Sequence, residues 1–176
     1  MIRRSGRPVV RASIDGFHRP RSERYARGSD SPAGYFFDSF DHAALLANLL
    51  EPLGPGGDGT FRRRVFDVRR DEPVEAEVER VLPGSILIFD GVFVLRRELV
   101  RHWDFSIFVA VPFVETKRRA VERDLELFGS VEATADRYER RYVPGQQLYY
   151  ERERPQTKAN VTIDNTDPNR PRLIWP

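Results

Sequence analysis

Residues 86–95 read ILIFDGVFVL, and this stretch restricts the fold more than any other. Ile86, Leu87, Ile88 and Phe89 run without a polar break into Asp90 and Gly91. An apolar run of strand length, closed by a turn pair, is the pattern of a buried strand in a parallel sheet. Such a strand delivers its last carboxylate to the carboxyl edge of the sheet, where open α/β sheets bind ligands. Pro8 to Ile14 repeats the pattern and ends at Asp15-Gly16. Asp-Gly also makes ordinary turns, so each aspartate taken singly has a bland reading. Two strands ending alike strengthen the functional one.

The rest of the chain alternates helix-like and strand-like segments. Asp41 stands where an N-cap opens a helix through Ala43, Leu45, Leu46, Leu49 and Leu50. Residues 18–35, rich in Arg, Ser and Gly, read as a loop with a short helix, and PLGPGGDG at 52–59 reads as a break. Ser106–Val111 predicts a second buried strand, followed by a charged helix from Pro112 to about Phe128. Val131–Tyr142 predicts another helix, which Pro144 continues through Tyr150. Phe61–Val68, Val161–Asp164 and Arg172–Trp175 are further strand candidates, and Pro73–Val81 fits either state. This alternation predicts an α/β architecture, one domain over residues 1–176, with a parallel sheet and flanking helices.

Composition removes several function classes. The 176 residues contain no Cys, which excludes disulfides, thiolate metal sites and a Cys nucleophile. No apolar run approaches the roughly 20 residues of a membrane span, and Met1-Ile2-Arg3-Arg4 does not open a secretory signal. The expected setting is the cytoplasm, with no membrane partner. A net charge of +2 does not mark a nucleic-acid binder. The basic start, from Arg3 to Arg27, has only Phe17 and Tyr25 as interleaved aromatics. Lys117 and Lys158 are the only lysines, so the positive charge is almost all Arg, whose planar fork clamps phosphates.

Four sets of residues carry candidate chemistry. Asp15 and Asp90 are edge carboxylates. Asp90 suits a magnesium ion bound directly or through water, and equally suits a capping role. Arg119 and Arg123, four apart in ETKRRAVERD, share one helix face. They read either as a solvated, salt-bridged face or as a lid that meets a transferring phosphoryl group. Asp41 and His42 read as a helix cap or as ligands for sugar hydroxyls. The three histidines, at 18, 42 and 102, lack metal-ligand spacing.

In order along the chain, VVRASIDGFHRPRSERY, YFFDSFDHAAL, VFDVRRD, ILIFDGVFVL, VPFVETKRRAVERD and YYERERPQTKANVTIDN resemble the motifs of bacterial uridine kinases. These belong to the uridine kinase and phosphoribulokinase group of P-loop kinases. The resemblance runs from about Arg7 to Ile174. It implies a P-loop NTPase-like sheet, ATP or GTP with Mg2+, and phosphoryl transfer to the 5′-hydroxyl of a nucleoside. It implies that Asp15 is the base towards that hydroxyl and that Asp90 serves the magnesium ion. Asp41, with His42 beside it, would contact the sugar. Phe66 with Arg69 or Arg70 would hold the base, with Phe66 replacing the usual Tyr. Arg119 and Arg123 would be the lid arginines, and Thr157 and Lys158 would lie near the adenine. A homo-oligomer is left open.

One part of the family pattern is absent. No G-x-x-x-x-G-K-[ST] string occurs, and GPGGDG at 54–59 lacks the Lys. The family places this loop before the Asp15 strand, so MIRRSGRPVV resembles the tail of the helix that follows it. The expectation is a kinase fold without its central first strand, which would lie between the strands at Ser85–Phe89 and Ser106–Val111. Two functions compete: a nucleoside kinase inactive in this form, and a non-catalytic binder of a nucleoside or partner.

Overall fold

The computed structural model describes residues 6–174. Residues 1–5, read above as a helix tail, and Trp175 lie outside the described residues. The chain packs as two compact units, Met1–Arg24 with Asp38–Val94, and Tyr25–Phe37 with Leu95–Pro176.

The first unit holds strands β1 Val9–Ser13, β2 Thr60–Phe61, β3 Phe66–Asp67, β4 Glu72–Pro73, β5 Glu79–Arg80 and β6 Ile86–Asp90. β1 and β6 pair in parallel, from Val9 opposite Ile86 to Ser13 opposite Asp90. β1 alternates, with Val10 and Ala12 buried and Arg11 exposed. The short strands form two antiparallel pairs, β2 with β5 and β3 with β4.

β1 runs into a 3-10 turn, Ile14–Phe17. Ile14 and Phe17 are buried and anchor the turn, which leaves Asp15 exposed between them. The turn is then tied to the next helix. Asp41 N–H donates to Phe17 O at 2.8 Å, and Asp41 Oδ1 accepts from Ala44 N–H at 2.9 Å, the N-cap bond expected of it. The helix His42–Leu45 continues through a π turn, Leu46–Leu50, into Glu51–Leu53, so it runs past the break expected at Pro52. Pro52 has no N–H to give back to Asn48 O, and that carbonyl accepts from Arg62 N–H instead, at 2.9 Å.

The second unit contains β7 Ile107–Ala110, β8 Val161–Asp164 and β9 Arg172–Ile174. β8 is central, parallel to β7 and antiparallel to β9. Phe108 of β7 lies edge-on to Tyr150 at 5.6 Å, on the helix Val143–Glu153, and Phe113 lies 5.4 Å from the same ring. Tyr149 Oη accepts from Leu95 N–H at 3.0 Å. The charged helix expected from Pro112 to Phe128 is divided into Phe113–Arg123 and Leu125–Phe128. Gly129, at φ +84°, closes the second piece in the left-handed conformation, and Ser130 caps the following helix by accepting from Ala133 N–H at 3.0 Å.

Two expectations need correction. Parallel pairing is limited to two-strand ladders in separate sheets, β1 with β6 and β7 with β8, so one continuous parallel sheet does not form. The strands read as fully buried are also only part-covered. Ile86 to Phe89 are half-buried, and Ile107 and Val109 are 53% and 52% exposed. An apolar run marks a strand that can be buried; how many neighbours cover it is a tertiary matter.

Close approach fixes the Asp90 turn. A Cβ at Gly91 would lie 2.1 Å from Ile14 Cγ2 and 2.6 Å from Ile14 Cβ. Gly91→Ala therefore forces β6 and the Ile14 turn apart. The expected loss is about 1–3 kcal/mol, the usual cost of overpacking, measured by urea unfolding. An unchanged midpoint would show that the contact yields easily.

Candidate functional site

The first unit gathers most of the candidate residues. Parallel strands end at one edge, and the β1–β6 register sets Ser13 beside Asp90. Asp15 follows two residues later, and its N–H donates to Ser13 Oγ at 3.3 Å. Both carboxylates are exposed at the carboxyl edge of this ladder, as the two Asp-Gly endings predict. Gly16 is pressed by a second segment. A Cβ there would meet Arg64 Cβ at 2.7 Å and Arg63 O at 2.9 Å, and Gly16 O accepts from Val65 N–H at 2.9 Å. Glycine at 16 thus lets the Arg62–Val65 segment lie directly on the Asp15 turn.

The sequence reading missed His18, whose only signal is its place three residues after Asp15. Its Nδ1 lies 2.9 Å from Asp15 O, and its ring packs on Phe40 at 4.6 Å. A carbonyl only accepts, so Nδ1 carries the proton and Nε2 is left as an acceptor. Burial lowers the His18 pKa from its ordinary value, against the upward pull of the Asp15 carbonyl and carboxylate.

Asp41 spends one oxygen on its cap bond with Ala44 N–H, the helix-cap reading of this residue. His42 is half-buried in the first turn of that helix. Phe66 is 5% exposed, within the core, on the β3–β4 hairpin. Arg69 and Arg70 lie at its tip, where both N–H groups donate to Asp67 Oδ1, and Arg70 also pairs with Glu72 at 2.7 Å. Those backbone bonds hold Asp67 below the usual carboxylate range. Asp71 secures the hairpin by accepting from Arg24 at 2.9 Å and from Arg21 N–H at 2.8 Å.

The glycine-rich turn does not form a phosphate cradle. Gly57 N–H donates to Gly54 O and Gly59 N–H to Pro52 O, both at 3.0 Å. A Cβ at Gly57 would lie 2.2 Å from Pro52 O, so this glycine is needed to fold the turn back on its helix. An open groove of about 540 Å³ runs along this turn between Asn48, Glu51, Asp58, Arg62 and Val78, and none of the candidate residues lines it.

Arg119, Arg123, Thr157 and Lys158 belong to the second unit. Arg119 Nε donates to Glu115 at 2.7 Å, and its Nη2 donates to Asn165 O and Thr166 O. Hydrogen bonds from Arg118 and Arg119 lower the Glu115 pKa to about 2. Arg123 pairs with Asp124 and Tyr138. Lys158 Nζ donates to Glu153 at 2.6 Å and Leu95 O at 3.1 Å, and Thr157 Oγ1 donates to Arg154 O at 2.9 Å. Each of these four side chains thus has a partner within its own unit.

The donor set at the Asp15–Asp90 edge fits magnesium in type. It offers two carboxylates and the Ser13 hydroxyl, all hard oxygens, and magnesium commonly binds one or two carboxylates while keeping several waters. Among the described residues no three His, Cys, Asp or Glu side chains cluster as a complete metal cage. The phosphate-holding part of a nucleotide site is not met in the same way, since Gly54, Gly57 and Gly59 give their N–H groups to the carbonyls of Glu51, Gly54 and Pro52. No helix among the described residues is long and apolar enough to cross a membrane.

No protein-family model matches the chain, and no curated protein matches it in sequence. Solved structures do match. A Bacillus stearothermophilus protein assigned as a possible uridine kinase superposes with a TM-score of 0.67 at 19% identity, covering 92% of this chain and 74% of that one. A Silicibacter sp. TM1040 protein assigned as a fructose transport system kinase gives 0.67 at 23% identity, covering 85% and 73%. Phosphoribulokinase from Rhodobacter spheroides gives 0.62 at 18%, covering 93% of this chain and 62% of the kinase. The chain is therefore an α/β protein with a fold similar to that of P-loop kinases.

Proposed function

We propose that this chain is a phosphotransferase-type protein of the P-loop kinase kind, with an acceptor site for the hydroxyl of a nucleoside. The observation that carries the reading is the β1–β6 register. It sets the Asp15 and Asp90 turns at one carboxyl edge, in a fold similar to that of kinases. In this reading the acceptor hydroxyl lies against the Asp15 carboxylate, which takes its proton as the hydroxyl oxygen bonds to the terminal phosphorus and the bond to the departing nucleoside diphosphate breaks. His18 Nε2 and the second oxygen of Asp41 accept from neighbouring sugar hydroxyls. Asp90 would hold a magnesium ion, which when bound supplies charge neutralisation to the phosphates. A nucleoside triphosphate supplies the phosphoryl group when bound. The acceptor side is the part that this chain's own residues build.

The N–H groups that Gly54, Gly57 and Gly59 commit to nearby carbonyls favour a second reading. Without a phosphate cradle, the same acceptor edge acts as a binding site for a nucleoside, and no transfer follows. Phosphoryl transfer depends chiefly on positioning and charge neutralisation. We therefore expect the purified chain to show negligible ATP-dependent phosphorylation of uridine, and robust turnover in a coupled assay would overturn that expectation. Both readings predict nucleoside binding. Amide shifts around Asp15, His18 and Asp41 should move saturably with uridine, and Asp41→Ala should weaken the interaction. If uridine moves none of these amides, the nucleoside assignment falls.

Supplying a P-loop segment ahead of residue 1 separates the two readings. In that form Asp15→Asn keeps size and hydrogen bonding but removes the proton acceptor. The expected fall in kcat is about 10²–10⁴, and less where a loose transition state asks little of a base. Asp41→Ala should act chiefly on KM, because a sugar contact is made in ground and transition states alike. Near-normal kcat for Asp15→Asn would leave Asp15 as a turn residue only.

A further inference from the structure

The three arginines of the helix Phe113–Arg123 are bound in different ways. Arg118 gives all three of its nitrogens to carboxylates, Nε and Nη2 to Glu115 and Nη1 to Glu122. Arg119 is committed to Glu115 and to the carbonyls of Asn165 and Thr166, with its side chain only 26% exposed. Arg123 is 71% exposed and is gripped along one edge alone. Its Nε donates to Asp124 Oδ1 at 2.7 Å and its Nη2 to Asp124 Oδ2 at 2.8 Å. Nη2 also donates to Tyr138 Oη at 2.8 Å, and that phenol donates to Asp124 Oδ2 at 2.7 Å. Nη1 makes no hydrogen bond among the described residues.

The grip has a firm base. Tyr138 is 6% exposed and opens the π turn Tyr138–Tyr142, with its ring edge-on to Tyr142 at 5.0 Å. Asp124 sits where the helix stops, and its N–H donates back to Ala120 O at 2.8 Å. A bidentate carboxylate fixes the plane of a guanidinium. The buried phenol then removes the remaining freedom of the carboxylate. An arginine held this way keeps Nη1 for an incoming anion and needs no reorganisation when the anion arrives. Its exposure weakens the pull of its charge through screening, so the gain lies in direction.

We propose that Asp124 and Tyr138 are positioning residues for Arg123, locking its Nε–Nη2 edge so that Nη1 is presented to the polyphosphate chain of a nucleotide. This rests on the phosphoryl-transfer reading above. It also divides the labour within the helix, giving anion contact to Arg123, while Arg119 holds the Asn165–Thr166 turn after β8.

The test uses the full chain labelled with 15N, with side-chain Nε–Hε lines recorded and the Arg123 line identified by its loss in Arg123→Lys. Inorganic tripolyphosphate should move that line saturably in the wild type. Tyr138→Phe keeps the ring and removes only the hydroxyl. It should raise the midpoint about fivefold, the worth of one ordinary hydrogen bond, with the near-ultraviolet circular dichroism unchanged. In the wild type without ligand, Arg123 Hε should also exchange with water roughly tenfold more slowly than that of a side chain without a bidentate pair. Equal midpoints in the two proteins, an Arg123 line that ignores tripolyphosphate, or fast Hε exchange would each overturn the proposal. The uridine titration of Asp15 and Asp41, run on the same sample, reports the kinase reading separately. If uridine binds while Arg123 fails these tests, only the lock is lost.

Discussion

The parallel ladder between β1 and β6 is the constraint on which the candidate site depends. Parallel strands end together, so a register that sets Ser13 opposite Asp90 brings two Asp-Gly turns to one edge. The two turns are also in contact through non-polar atoms. Ile14 is fully buried, and it lies where any side chain at Gly91 would have to go. The carboxylates are thus placed by a buried isoleucine and a glycine as much as by backbone hydrogen bonds. Between the anchors Ile14 and Phe17, Asp15 has no choice but to face outward.

Around that edge, local chemistry in the first unit arranges the candidate residues. The Arg62–Val65 segment lies on Gly16 because glycine has no Cβ to push it away. The same segment is held at its start by Asn48 O, which Pro52 leaves without a helical donor. Proline in a helix interior normally costs stability through this lost bond, and here the freed carbonyl docks the next strand. His18 joins the site because its own turn folds it back on the Asp15 carbonyl. A neutral imidazole and two carboxylates suit hydroxyl groups better than phosphates.

Much of this was legible in the sequence. The Asp-Gly endings, the Asp41 cap and Val161–Asp164 all follow from short-range rules: apolar runs, turn pairs and capping chemistry. Element ends were less legible. The helix from Phe113 stops at Arg123, and Asp124 at that break turns its carboxylate to Arg123 and to Tyr138, a partner 14 residues on that no local pattern announces. The run to Leu53 is similar, since Pro52 reads as a breaker until Arg62 supplies the missing bond. His18 carried no motif of its own.

The sequence by itself determined the two Asp-Gly strand endings and the Asp41 cap, because those depend on neighbours a few positions away. It also determined that no Walker-type loop string is present in these 176 residues. Only the tertiary structure decided which strands pair, that parallel pairing stops at two strands in each sheet, and how far each apolar run is covered. It alone separated the three arginines of the helix Phe113–Arg123 into one fully paired, one committed to a turn, and one that keeps only Nη1 open among the described residues. The reason is physical. Charge and spacing place an arginine on a helix face, but its free donors depend on carboxylates, carbonyls and phenols brought to it from elsewhere in the chain.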